Sequence, residues 1–455
     1  MKKNNLTRRQ FLGSASAGAV AAVASGAVPT LGNVSKKAQK LAILGGQPVR
    51  TKPFPSWPII DETDEKSVLS ALRSGIWSRG KMVATIEKRF AELVGAKYCL
   101  ITGSGTQALN TALHVLGITG GDEVLVTPYT FVATVDAILL EDALPVFADI
   151  DPETFQINPD KLEEKITENT KAVLPVHING GVVNMDKINS IAKKYDLKVV
   201  EDACQAILAE WRGKKVGTLG DLGCFSFQTT KNLTCGEGGA ILGEDEKVID
   251  RCYSFHNFGR PKGKYMARDK GGHPILGTKY RISTIHAAIL NAQMERVEEQ
   301  TKKRSENADY LTSRIKEIPG IIPRKDYKET TRTAYYKYAL RYKKEYFNGI
   351  PREKFFSAMR AEGIPCSWGL GVLEGLPINR EGLIEETLNS KNFKKIYSKE
   401  RLNKYREQNQ CPESDRLCKE VMGFSGEFFI GTRKDMDDIA DAVLKIYENR
   451  DKLVY

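Results

Sequence analysis

The sequence predicts an α/β fold with a large, mainly parallel sheet and a smaller C-terminal α+β domain. Three observations carry that expectation. Between Lys97 and Gly243, six short β-rich runs (YCLIT, EVLVTP, LPVFADI, KAVLPV, KVVED and GCFSF) lack the polar alternation of a half-exposed strand. Strands that read this way are buried on both faces, as in sheets covered by helices. Helical segments separate the runs, which is the order of a parallel sheet. Beyond about residue 320 the pattern becomes irregular, marking a second and smaller domain. The 455 residues leave room for two or three domains and a sizeable core.

Taken in order, Pro53, Pro55 and Pro58 make an extended arm, because residues before proline avoid the helical region. Segments 61–74 and 82–94 carry apolar residues at helical spacing. Within the sheet region, 106–116, 130–139, 160–166 and 185–195 read as helices, and 283–315 as one long helical region with a charged second half. Residues 335–342 alternate like a strand, while 353–362 and 436–447 read as helices. The basic runs within 391–406 are expected to be exposed helix faces rather than a binding patch. The expected division is a signal over 1–34, a large domain over 35–315 and a small domain over 316–455.

Hydrophobic residues make up 41%, charged residues 27% and aromatics 8%, which excludes collagen-like, globally disordered and disulfide-scaffold classes. The net charge of +11 includes Lys2, Lys3, Arg8 and Arg9 at the N-terminus. The remaining surplus suits anionic small ligands or an acidic partner surface and is weak evidence for nucleic acid. The eight cysteines form no C-x-x-C pair and read as reduced core residues.

The N-terminal segment resembles a twin-arginine export signal. Arg8-Arg9 precede Phe11-Leu12 and an Ala/Gly-rich stretch, and no charge occurs from Gln10 to Ser35. Gly13, Gly18, Gly26 and Pro29 interrupt any helix there. The resemblance implies export in the folded state, a periplasmic location and no stable membrane association after cleavage.

Four segments fall after predicted strands, on the side where open α/β sheets bind ligands. Gly103-Ser104-Gly105-Thr106 joins YCLIT to a helix, where glycines and free amides favour phosphate. With Ala108 it also spells G-x-G-x-x-A, so a nicotinamide oxidoreductase using the Gly103/Gly105 turn is the rival reading. That fingerprint needs an acid at the end of the next strand, whereas Asp122 and Glu123 precede it. Val199-Val200-Glu201-Asp202 ends a strand in acids, which are either solvated carboxylates or give Asp202 a buried cationic partner, since a carboxylate inside a cleft needs one. Lys231 lies between the strand of Phe225-Ser226-Phe227 and the Gly-rich Gly236-Glu237-Gly238-Gly239, a setting that can desolvate an amine for covalent chemistry. Phe131, after Thr127-Pro128-Tyr129-Thr130, is either core packing or a stacking platform. Phosphate cradle, acid, amine and aromatic together describe a site for pyridoxal 5'-phosphate.

These residues in this order resemble the DegT/StrS family of pyridoxal-phosphate aminotransferases. The likeness runs through LAILGGQPVR, SGTQAL, EDACQA, FSFQTTKNLTCGEGGA, GTKYRISTIHAAI and CPESDRL. It implies the fold type I transferase architecture, a homodimer with active sites at the interface, and amine transfer from glutamate or glutamine to a keto-sugar or keto-cyclitol. By that resemblance Lys231 is the Schiff-base lysine and Asp202 the ring-nitrogen partner, with Gln205 on the ring hydroxyl. Gly105, Thr106 and Ser226 are phosphate ligands, and Phe131 is the stacking ring. Lys279 stands where the family usually has Asn, and is expected to replace its cross-subunit phosphate contact. His256, Asn257 and Tyr129 are expected to face the substrate. A catalytically silent sensor with the same fold is the third reading.

Overall fold

The computed structural model describes residues 40–263, 272–368 and 375–454. The twin-arginine segment lies outside them. Residues from Lys40 onward form one compact unit.

The large sheet has seven strands: β1 (Tyr98–Thr102), β2 (Glu123–Val126), β3 (Leu144–Phe147), β4 (Thr170–Leu174), β5 (Lys198–Asp202), β8 (Leu222–Ser226) and β9 (Gly239–Gly243). The short β6 (Glu210–Trp211) and β7 (Lys214–Lys215) form a separate three-stranded sheet with β11 (Thr330–Arg332). The large sheet runs β1-β9-β8-β5-β4-β2-β3. Successive residues point to opposite faces, so Leu100, Val200 and Ile241 join one apolar cluster while Ile101, Val199 and Leu242 join the other. Helices close both faces. Lys81–Val94 packs Val83, Ile86 and Phe90 on one side, and Gly105–Val115 packs Ala108, Leu109 and Ala112 on the other.

All six predicted runs are strands. The seventh, β9, was not anticipated and is antiparallel to both neighbours. The Gly-rich turn after Lys231 returns the chain along β8, with Gly236 at φ +91°. Gly239 must lack a side chain, since a Cβ there would lie 2.3 Å from the Ser104 carbonyl oxygen.

Two helix expectations need correction. Residues 160–166 form two short 3₁₀ turns, Pro159–Lys161 and Glu163–Lys165, because the segment offers little apolar surface to bury. The region 283–315 is two helices, Thr284–Gln293 and Val297–Ile315. At the break, Arg296 turns back to Asp61 (2.6 Å) and Asp64 (2.7 Å) at the start of helix Glu62–Arg73.

The second sheet, β10 (Ile321–Pro323), β12 (Lys337–Tyr342) and β13 (Val421–Ser425), is antiparallel and packs with helices Arg352–Ala361 and Arg433–Glu448. The basic stretch near residue 400 does form exposed helix faces, while Phe393, Tyr397, Leu402 and Tyr405 anchor it to the large sheet. Arg401 pairs there with the buried Glu123, and Arg406 with Glu385 at 2.8 Å. All eight cysteines are free. Among the described residues no helix is long and apolar enough to cross a membrane.

Candidate active site

The end of β5 separates two adjacent acids. Glu201 and Asp202 point to opposite faces, as strand neighbours must. Glu201 is fully buried and structural. It accepts hydrogen bonds from the N–H groups of Gly217 (2.8 Å), Leu219 (2.6 Å) and Gly220 (2.8 Å), and lies 3.0 Å from His177 Nε2. Asp202 lies at the carboxyl end of the sheet on the opposite face, where it accepts from the Thr134 hydroxyl (2.8 Å) and the Cys204 N–H (3.1 Å). The Thr134 hydroxyl lies in turn 2.8 Å from that of Thr130. Asp202 is only 5% exposed, yet has no cationic partner among the described residues.

Lys231 shows the complementary deficiency. Its side chain is 9% exposed and its amine makes no hydrogen bond or ion pair among the described residues. Instead the amine lies 4.3 Å from the centre of the Tyr336 ring. Cys204 ties the two halves together: burial and the Asp202 charge push its thiol well above the ordinary range, while the Lys231 charge acts in the opposite sense. A thiol so raised is a poor nucleophile and serves here as packing.

The third component is the start of helix Gly105–Val115. Ser104 caps it, accepting the Gln107 N–H at 3.2 Å through Oγ and the Ala108 N–H at 3.1 Å through its carbonyl. The N–H groups of Gly105 and Thr106 are left without intrahelical partners, beside Ser226 at the end of β8. A Cβ at Gly105 would lie 2.7 Å from Ser226 Cβ and 2.9 Å from Cys204 Sγ. Only glycine allows helix start, Ser226 and Cys204 to meet this closely.

The structure therefore brings Gly105, Thr106, Asp202, Ser226 and Lys231 to one side of the sheet. Gln205 is buried nearby, its side-chain oxygen accepting the Asn179 N–H at 2.8 Å. Phe131 caps helix Val132–Leu139 and is 52% exposed, so it is not core packing. Lys279 is exposed and its backbone pairs with Asn257.

Two substrate-facing expectations need correction. Tyr129 is fully buried, edge-on to Phe155, and burial pushes its phenol well above the ordinary range. His256 is also fully buried, its ring donating to the Tyr253 carbonyl.

Sequence reasoning missed Thr134, Cys204 and Tyr336. The Thr130-x-x-x-Thr134 spacing across a helix start was a usable signal for the first. Nothing local marks Tyr336. The arm residue Trp57 was missed too; its indole N–H donates to the Thr229 carbonyl at 2.9 Å, bracing the Lys231 turn.

The sequence profile of the DegT/DnrJ/EryC1/StrS aminotransferase family matches residues 58–401. The chain belongs to that family. Family membership, with Asp122 and Glu123 at the amino end of β2, removes the nicotinamide reading. The chain is 35% identical over 418 residues to a Micromonospora echinospora protein inferred to be an L-glutamine:3-amino-2,3-dideoxy-scyllo-inosose aminotransferase, covering 90% of this chain and 98% of that one. It is 32% identical over 423 residues to the L-glutamine:scyllo-inosose aminotransferase of Streptomyces griseus, with 90% and 98% covered. The crystal structure of 3-amino-5-hydroxybenzoic acid synthase superposes with a TM-score of 0.75 at 27% identity, covering 87% of this chain and all of that one. This DegT-family chain is an aminotransferase with the architecture of pyridoxal-phosphate-dependent transferases.

Proposed function

We propose that this DegT-family chain binds pyridoxal 5'-phosphate at Lys231 and moves an amino group from glutamine or glutamate to a keto-cyclitol or keto-sugar. One observation carries the reading: among the described residues, a buried carboxylate without a cation and a buried amine without an anion lie at the same end of the sheet as two free helix-start amides. A phosphorylated pyridine aldehyde satisfies all three. Its ring nitrogen suits Asp202, its aldehyde Lys231, and its phosphate the Gly105 and Thr106 amides with the Ser226 hydroxyl. When bound, the group supplies an electron sink for a carbanion.

The chain's own residues do the rest. Asp202 favours a protonated ring nitrogen, Thr134 and Cys204 hold the carboxylate in place, and Phe131 supplies a flat apolar face. Lys231 accepts a proton at Nζ from the donor carbon and later releases it. The glutamine donor and inosose acceptor named for the relatives support glutamine and a keto-cyclitol here.

The exposed apolar stripe of Ile59, Ile60, Leu69, Leu72, Ile76 and Trp77 supports a homodimer, in which Lys279 reaches the partner's phosphate site. The Arg8-Arg9 segment supports folded export to the periplasm. An exported enzyme meets free keto-cyclitols more readily than nucleotide-linked sugars.

The test is borohydride reduction of the cofactor-loaded protein with peptide mapping. The adduct is expected on Lys231 and absent from Lys231→Ala; an adduct on any other side chain refutes the assignment. Incubation of the amine-loaded protein with inososes and nucleotide-linked keto-sugars then identifies the acceptor.

A further inference from the structure

Three consecutive residues of the catalytic turn are tied to one short segment of the second sheet's lead-in. The Thr230 hydroxyl lies 2.8 Å from that of Tyr336, the Lys231 amine lies 4.3 Å from the Tyr336 ring centre, and the Asn232 amide donates to the Ala334 carbonyl at 2.7 Å. The segment is fixed from behind as well. The Ala334 N–H donates to the Gly180 carbonyl (2.9 Å), and the Gly426 N–H to the Tyr336 carbonyl (3.2 Å). A Cβ at Gly180 would lie 2.7 and 2.8 Å from the nitrogens of Tyr335 and Tyr336, so no slack remains there. Tyr336 itself is 4% exposed.

The hydrogen-bond directions decide which part of Tyr336 meets the amine. Thr230 donates its hydroxyl hydrogen to Gln228 Oε1 at 2.7 Å, so it accepts from the Tyr336 hydroxyl. The phenol hydrogen is thereby committed away from Lys231. What faces the amine is the ring, whose negative π face attracts a cation.

We propose that Tyr336 is the positioning residue of the Lys231 amine, its ring face holding the ammonium that forms during proton transfer. This rests on the transaminase reading above. In that step the C–H bond of the amino-acid donor breaks and its electron pair passes into the cofactor's pyridine ring. The proton goes to the lone pair of Lys231 Nζ, and the same proton is later delivered back to a carbon, so charge and atoms balance. The ammonium is created almost out of contact with water and, among the described residues, with no carboxylate paired to it. The Tyr336 ring offsets that isolation without trapping the proton, as a carboxylate would.

The test compares Tyr336→Leu with Tyr336→Phe in the cofactor-loaded full chain. Loss of the ring is expected to slow the glutamine half-reaction about 2- to 30-fold and raise its α-deuterium isotope effect, leaving KM unchanged. The Leu variant is also expected to lose visible-region circular dichroism intensity. The Phe variant keeps the ring and is expected within about twofold of the parent in every readout. Tyr336→Met gives the same comparison if the Leu variant does not fold. A Leu or Met variant indistinguishable from the parent overturns the inference, and so does a Phe variant as slow as Leu. A parent protein without a visible band or a Lys231 adduct instead refutes the transaminase reading, and this inference with it.

Discussion

Asp202→Asn isolates the charge at the cofactor ring from everything else the residue does. The structure explains why the exchange keeps its shape. Asn retains an oxygen for the Cys204 N–H, and its amide can donate to Thr134 Oγ, because Thr134 can turn its own hydrogen to Thr130 at 2.8 Å. No local hydrogen bond need be lost. What disappears is the charge-assisted bond to a protonated ring nitrogen, worth about 1.5–3 kcal/mol, or roughly 10- to 150-fold in affinity. In the cofactor-free protein the sign reverses. There Asp202 is a buried carboxylate with no cation among the described residues, so removing its charge is expected to raise stability. Titration of the cofactor-free chain with pyridoxal 5'-phosphate measures the first effect at the visible band. Urea unfolding of the same chain measures the second. An Asn variant that binds as tightly as the parent, and is no more stable when cofactor-free, would show that Asp202 does not face the ring.

The remaining predictions concern other parts of the same site and its surroundings. Gly105→Ala is expected to cost about 1–3 kcal/mol in urea unfolding, since its Cβ meets Ser226 and Cys204 below 3 Å, and to weaken phosphate binding by displacing the helix start. Lys279→Ala is expected to lower cofactor affinity and flatten its dependence on salt, whereas an unchanged salt slope would place Lys279 in solvent. His256 has its pKa lowered to about 3, because burial disfavours the charged ring. Between that value and the unfolded value of 6.5 the unfolded chain binds a proton that the fold does not, so stability rises with pH across this window. Urea unfolding from pH 4.5 to 7.5 is expected to show His256→Gln with a shallower acid limb, by up to about 1.4 kcal/mol per pH unit.

The buried strands were legible because each is apolar on both faces, a local property that survives without tertiary information. The Lys231 turn was legible for a similar reason: a lysine between an apolar strand and consecutive glycines is an unusual local setting. β9 was harder, since its Gly-Ala-Ile-Leu-Gly run carries its direction only through the turn that precedes it. The break at Arg296 depended on partners at Asp61 and Asp64, which no helical period contains.

The sequence by itself determined which chemical groups the site would hold, because an amine, an acid and a phosphate-binding turn each need a recognisable local context. Tertiary structure alone decided how they face one another. The strand-end position and the resemblance both single out Asp202, but it is the strand pleat that turns Asp202 toward Thr134 and Cys204 and Glu201 to the Gly217–Gly220 turn. Tyr336 meets Lys231 across more than a hundred residues of chain, its ring beside the amine and its hydroxyl paired with that of Thr230. Local pattern records what a residue can do; the contact that puts it to use is set by chain segments far apart in sequence.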